Sequence, residues 1–220
     1  GCSPAQISIA APLTMNQTIK AGTLIYDDMF KIYRFENQLF VVRMSGQELK
    51  DFLEYSYNLW IQTASSPEDH ILRIIPREDA RAGTKKWSFD KASYNFDSAA
   101  GINYTVDVTK DYGDRVCIST LADGSEFCLD EQYNVAMTSY RASGGGGAMT
   151  EGAGIDTSTI DERVVAKYPE IRDLIYQFIT QNGTITPELL AGAQLGHWNF
   201  VPEDVCGPGL ERDWNLMFEN

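Results

Sequence analysis

Residues 38–61 read QLFVVRMSGQELKDFLEYSYNLWI, and this stretch decides the fold class. Gln38 to Arg43 form a short apolar run of the length of a buried strand. Ser45-Gly46-Gln47-Glu48 follows at once. A serine with a glutamate three residues later is a capping box, in which the two side chains satisfy backbone amides left free at a helix start. Leu49, Phe52, Leu53, Tyr57 and Trp60 then recur at three- and four-residue spacing, the apolar stripe of an amphipathic helix that runs to about residue 61. The stretch therefore predicts a strand feeding directly into a helix.

Working outward, residues 6–12 (QISIAAP) predict a strand that stops in a turn at proline, and residues 24–34 a short helix. Residues 62–100 are polar and irregular and predict a long excursion, with a strand at His70 to Ile75. Ile102, Tyr104, Val106 and Val108 alternate with polar neighbours, as in a half-buried strand. Further strands are expected at 115–120 and 125–129, joined by Ala122-Asp123-Gly124, and at 133–140. The last third is expected to be helical. Ile171, Leu174, Ile175, Phe178 and Ile179 form a stripe that begins near Pro169 and stops at Asn182-Gly183, and Thr186-Pro187 caps another helix. Strands and helices without a regular βαβ rhythm predict an α+β fold, a mixed β-sheet with packed helices. Neither a repeat nor a linker is visible, so residues 1–220 are read as one domain.

At 220 residues and 43% hydrophobic, the chain can bury a substantial core. Its net charge of −13 argues against a polymeric nucleic acid partner, which is held by clustered Lys and Arg, but leaves room for one small anion held locally. Lys85-Lys86 is read as a solvated surface. No run of eighteen apolar residues predicts a membrane span, and no charged-then-apolar leader opens the sequence. The start, GCSPAQISIAAPL, enters a strand almost at once, which suggests a chain cut from a longer polypeptide. Cys2, Cys117, Cys128 and Cys206 lack zinc-site spacing. Cys117 and Cys128 flank the Asp123-Gly124 turn, yet a two-residue hairpin there would set Ser119 opposite Cys128, so a disulfide is left open.

The candidates for chemistry are few. His70 and His197 are the only histidines, in neither an HExxH nor a DxH pattern, so no metal site and no self-contained metallohydrolase centre is expected. No GxSxG elbow supports a nucleophile, and acidic pairs such as Asp27-Asp28 and Asp161-Glu162 reflect composition. No catalytic residue is assigned. There remains Ser139 to Gly154, SYRASGGGGAMTEGAG. It is not a nucleoside triphosphate loop, because Ala148-Met149 stands where a lysine and a hydroxyl are required. Either the glycines are a turn, or Tyr140, at a strand end, lays its ring against a planar ligand that Gly144 and Gly145 leave room for. A second ring would be needed opposite. Phe35, in IYRFENQLF, is the candidate, with Asn37 two residues on as a donor and acceptor.

Taken in order, Ile7 to Pro12, Ala21-Gly22, Phe35-Glu36-Asn37, Ser45-Gly46-Gln47-Glu48-Leu49, Gly101-Ile102-Asn103-Tyr104 and Tyr140-Arg141-Ala142-Ser143-Gly144-Gly145 span nearly the whole chain. In that order they resemble the C-terminal domain of the 5'-nucleotidase family. Ala10-Ala11-Pro12-Leu13, the Tyr-Arg-Ala before the glycines and Asn199-Phe200-Val201-Pro202 after Trp198 are more similar to the 2',3'-cyclic-nucleotide 2'-phosphodiesterase/3'-nucleotidase branch.

The resemblance implies a domain that holds a nucleobase between Phe35 and Tyr140, with Asn37, Gly101, Arg141, Gly144 and Gly145 completing the substrate-binding set. It further implies that hydrolysis belongs to an N-terminal metallophosphoesterase domain of the same polypeptide carrying two divalent metal ions. No cofactor would be bound by this domain, whose partner would be a nucleotide or nucleoside, and the chain alone would be inactive. The location implied is bacterial and periplasmic, secreted or cell-surface. The alternative is a non-catalytic nucleotide-binding or interaction module on the same fold.

Overall fold

The computed structural model describes residues 4–13, 17–79, 84–191 and 197–218. In chain order the elements are β1 (Ile7–Ala10), α1 (Tyr26–Ile32), β2 (Gln38–Ser45), α2 (Gly46–Trp60), β3 (Ile74–Asp79), β4 (Thr84–Phe89), β5 (Ser98–Ala100), β6 (Ile102–Asp107), β7 (Val116–Leu121), β8 (Gln132–Thr138), α3 (Ser139–Ala142), β9 (Val164–Glu170), α4 (Ile171–Asn182), α5 (Pro187–Ala191), β10 (Trp198–Val201) and α6 (Glu203–Phe218).

The capping box forms as the sequence requires. Ser45 Oγ accepts from Glu48 N at 3.1 Å, and Glu48 Oε2 accepts from Ser45 N at 2.8 Å. The helix it starts buries Leu49, Phe52, Leu53 and Tyr57 completely. That stripe packs in one core with Ile7, Val42, Met44 and Val135 of the main sheet and Tyr104 and Val106 of a second sheet. Each such apolar side chain contributes roughly 1.5–3 kcal/mol through burial. Glu54, on the same helix and 1% exposed, accepts the backbone N–H of Gly113 at 2.9 Å and of Val116 at 2.7 Å, which fastens α2 to the start of β7.

The described residues form three sheets. The main sheet has the order β5-β1-β8-β2-β9, with β1 parallel to β8 and the other neighbours antiparallel; the second is β10-β6-β7, and β3 and β4 form a separate hairpin. Mixed sheets with packed helices are the α+β architecture expected.

Four local expectations are corrected. Residues 125–129 form no strand; they contribute one bridge, Thr120 to Glu126. The strand expected at 70–75 is instead the β3–β4 hairpin, whose charge-rich pairs, Arg77 opposite Lys86 and Glu78 opposite Lys85, hide a strand pattern. The last third holds β9 and β10 as well as helices. In β9 Pro169 sits on an edge strand, where a missing donor costs no ladder bond, and the helix α4 starts beside it at Ile171 and stops at Asn182-Gly183 as expected. The strand of 133–140 stops at Thr138, so Tyr140 lies on the one-turn helix α3.

Gly101 also has a different place from the one the resemblance implies. It joins β5 to β6 with φ +93°, and a β-carbon there would collide with the backbone carbonyl of Gln6, beside β1. It is a packing glycine. Gly101→Ala should cost about 2–5 kcal/mol, the sum of positive-φ strain and overpacking, in urea unfolding.

Candidate functional site

Antiparallel pairing of β2 with β8 sets Leu39 opposite Thr138. The residues just before β2 and just after β8 therefore emerge side by side. Thr138 Oγ1 accepts from Arg141 N at 3.1 Å and starts α3, while Gln38 N donates to Ser139 Oγ at 3.1 Å. Phe35, Asn37, Tyr140 and Arg141 all line one cleft of about 930 Å³, mostly apolar, floored by β1 and β8 and walled by Ile171, Leu174, Ile175 and Phe178 of α4. Clefts of this volume and character are the usual form of small-molecule sites.

The two rings are seated differently. Phe35, 37% exposed, takes Tyr33 edge-on at 6.3 Å and the Arg34 guanidinium at 5.2 Å from its ring centre. Tyr33 hydroxyl accepts from Asn37 Nδ2 at 3.0 Å, and Asn37 O accepts from Ile171 N at 2.9 Å. Burial raises the Tyr33 phenol above its ordinary 10.0, so it stays a neutral anchor for the amide. Tyr140 is 44% exposed, and its ring lies against Gly145, where a β-carbon would overlap ring carbons. Gly145 thus makes room for the tyrosine ring itself. Neither it nor Gly144, which faces Thr150 and Thr157, lines the cleft, and Gly101 does not either.

Arg141 lines the cleft but is only 4% exposed, and its guanidinium is committed to the protein. Nη2 lies 2.9 Å from Asp97 Oδ2 and donates to Tyr94 O at 2.8 Å; Nε donates to Asp97 Oδ1 at 3.3 Å; Nη1 donates to Gly145 O and to Asn95 Oδ1. The Nη2–Oδ2 contact is an ion pair by distance, but Oδ2 is not aligned for a hydrogen bond. This arginine positions the backbone under Tyr140, with four of its five N–H donors spent on the protein and its charge met by Asp97. Arg34, Asp97 and the α4 wall were not among the sequence candidates. The α4 stripe was visible, but a stripe does not say whether its helix covers a core or a cleft, and Asp97 carries no motif.

Among the described residues, no group of three or more His, Cys, Asp and Glu is placed to hold a metal ion. The residues present therefore do not fit a divalent centre, and no chemical step is assigned to one here. His70 pairs through Nδ1 with the buried Asp213, which also accepts from Ile71 N and Leu72 N. Cys117, Cys128 and Cys206 are free thiols, and Cys2 lies outside the described residues. No helix among the described residues is long and apolar enough to cross a membrane.

A sequence model described as "5'-nucleotidase, C-terminal domain" matches residues 3–152. The chain is 28% identical over 210 residues to the "Trifunctional nucleotide phosphoesterase protein YfkN" of Bacillus subtilis, covering 90% of this chain and 12% of that protein. It is 25% identical over 200 residues to a Haemophilus influenzae "2',3'-cyclic-nucleotide 2'-phosphodiesterase/3'-nucleotidase", covering 84% of this chain and 26% of the relative. It thus spans about a quarter or less of these relatives. Among solved structures, a protein described as a 5'-nucleotidase of Staphylococcus aureus superposes with a TM-score of 0.61 at 21% identity, over 89% of this chain and 33% of that one. Haemophilus influenzae NAD nucleotidase superposes at 0.53 and 15% identity, over 90% and 30%. At these identities the structures attest the fold.

Burial pushes the Asp97 carboxyl from its ordinary 3.8 up to about 6, against the lowering pull of Arg141. A carboxyl whose folded pKa is raised binds more protons folded than unfolded between these two values, so its contribution to stability falls as pH rises from about 4 to about 6. Asp97→Asn removes that titration. In urea unfolding, the stability of the wild type relative to this variant should drop by about 2–3 kcal/mol between pH 4 and pH 7.

Proposed function

The chain belongs to the 5'-nucleotidase C-terminal domain family, and from that premise we propose that it is the nucleobase-recognition domain of a metal-dependent nucleotide phosphohydrolase. One observation carries the reading: Phe35 and Tyr140, two exposed aromatic rings 105 positions apart in sequence, line the same apolar cleft. A planar base entering there stacks on them, excludes water from the ring faces, and meets the Asn37 amide as a donor and acceptor for its edge. The domain supplies affinity and orientation. Hydrolysis is assigned to an N-terminal metallophosphoesterase domain of the same polypeptide with two divalent metal ions.

The relatives named as nucleotide phosphoesterases support nucleotides, linear or 2',3'-cyclic, as the substrate class. Substrate hydrolysis of this kind suits a bacterial periplasmic or secreted protein in nucleotide catabolism. A net charge of −13 supports small nucleotides over polymeric nucleic acid.

Stacking on an aromatic ring contributes about 1–3 kcal/mol per base, so Tyr140→Ala and Phe35→Ala should each weaken adenosine binding roughly 5- to 150-fold in calorimetric titration of the chain. The same variants should raise KM in the full-length enzyme. Affinities unchanged in both would favour a non-catalytic interaction module instead.

A further inference from the structure

Three charged side chains line the cleft: Arg34, Asp97 and Arg141. The last two neutralise each other at 2.9 Å, and Arg141 spends its donors on Tyr94, Asn95, Asp97 and Gly145. Arg34 is different. It is exposed, its guanidinium rests 5.2 Å over the Phe35 ring, and among the described residues it has neither a carboxylate within ion-pair distance nor an acceptor for its N–H groups. Among the described residues the cleft therefore carries one uncompensated positive charge, set beside the ring proposed to hold the base, in a chain whose net charge is −13.

We propose that Arg34 is the residue that reads the phosphate of the nucleotide held in this cleft. A guanidinium presents a planar fork of donors that matches two phosphate oxygens at once. Resting on Phe35, it approaches that geometry with one face already shielded from water. The chain's overall negative charge repels a dianion at long range, but salt screens that field within about 10 Å, whereas a contact in the cleft survives. The inference rests on the stacking reading and extends it: this domain ranks nucleoside monophosphates above nucleosides and does so through a single side chain. Arg34 adjoins Phe35 in sequence, so one short segment carries both the base platform and the phosphate contact.

The test is calorimetric titration of the chain, as wild type, Arg34→Gln, Arg34→Lys and Tyr140→Ala, with adenosine, 3'-AMP and 5'-AMP at low and moderate salt. At low salt, at least one monophosphate should bind the wild type about 5- to 10-fold more tightly than adenosine, the range of a partly exposed charged contact. Arg34→Gln should abolish that advantage, and Arg34→Lys should keep part of it. A phosphate advantage that survives Arg34→Gln, or none in the wild type, overturns the assignment while Tyr140-dependent adenosine binding upholds the stacking. If no ligand binds the wild type, or if adenosine binding is indifferent to Tyr140→Ala, the stacking reading falls and takes this inference with it.

Discussion

The pairing of β2 with β8 is the constraint on which the other features depend. Seven consecutive pairs, from Leu39 opposite Thr138 to Ser45 opposite Gln132, lie at the centre of the main sheet. Val42, Met44, Val135 and Met137 are buried along it, so a slip of one residue would turn the apolar set outward; burial thereby fixes the register. At one end that register brings the Phe35 segment beside Tyr140. At the other it presents Ser45 as the cap of α2 and lets Gly46 N donate to Glu131 O at 3.0 Å. Core helix and cleft are set by opposite ends of one ladder.

The buried pair of Asp97 and Arg141 adds little by way of net stability. Removing two charges from water costs several kcal/mol each, and the raised pKa of Asp97 means that its burial outweighs the attraction of its partner. What the pair supplies is geometry. The arginine gathers the backbone carbonyls of Tyr94 and Gly145 and the Asn95 side chain around one planar group, so two stretches of chain, 94–97 and 141–145, are held together at the cleft's edge.

The sequence made the local core legible where periodicity and capping agreed. The α2 stripe, the Ser45–Glu48 box and the alternation of Ile102 to Val106 each formed as read. It failed where the deciding physics was not local. β10 is four residues long and exists by pairing in parallel with β6 across nearly a hundred positions. β9 has a proline and no clean alternation because it is an edge. At the cleft, the residues that carry motifs, Phe35, Asn37, Tyr140 and Arg141, were legible as names, but the role of Arg141 was not. Its burial depends on Asp97, and no spacing rule links positions 97 and 141. The glycines misled in the same way: their ligand-side role was inferred from sequence adjacency, while their actual neighbours are Tyr140, Arg141, Asn95, Tyr55 and two threonines.

The seat under Tyr140 has a thermodynamic consequence. A ring packed against a glycine backbone, with that backbone carbonyl gripped by Arg141 and the guanidinium 5.5 Å from the ring centre, has fewer orientations open to it before any ligand arrives. The rotational freedom that an exposed tyrosine would surrender on binding, roughly 0.5–1.5 kcal/mol for an ordered side chain, is surrendered during folding instead. The open face of the ring thus acts as a preorganised surface. Association there would draw its free energy from desolvating the ring, with a negative heat-capacity change as its signature.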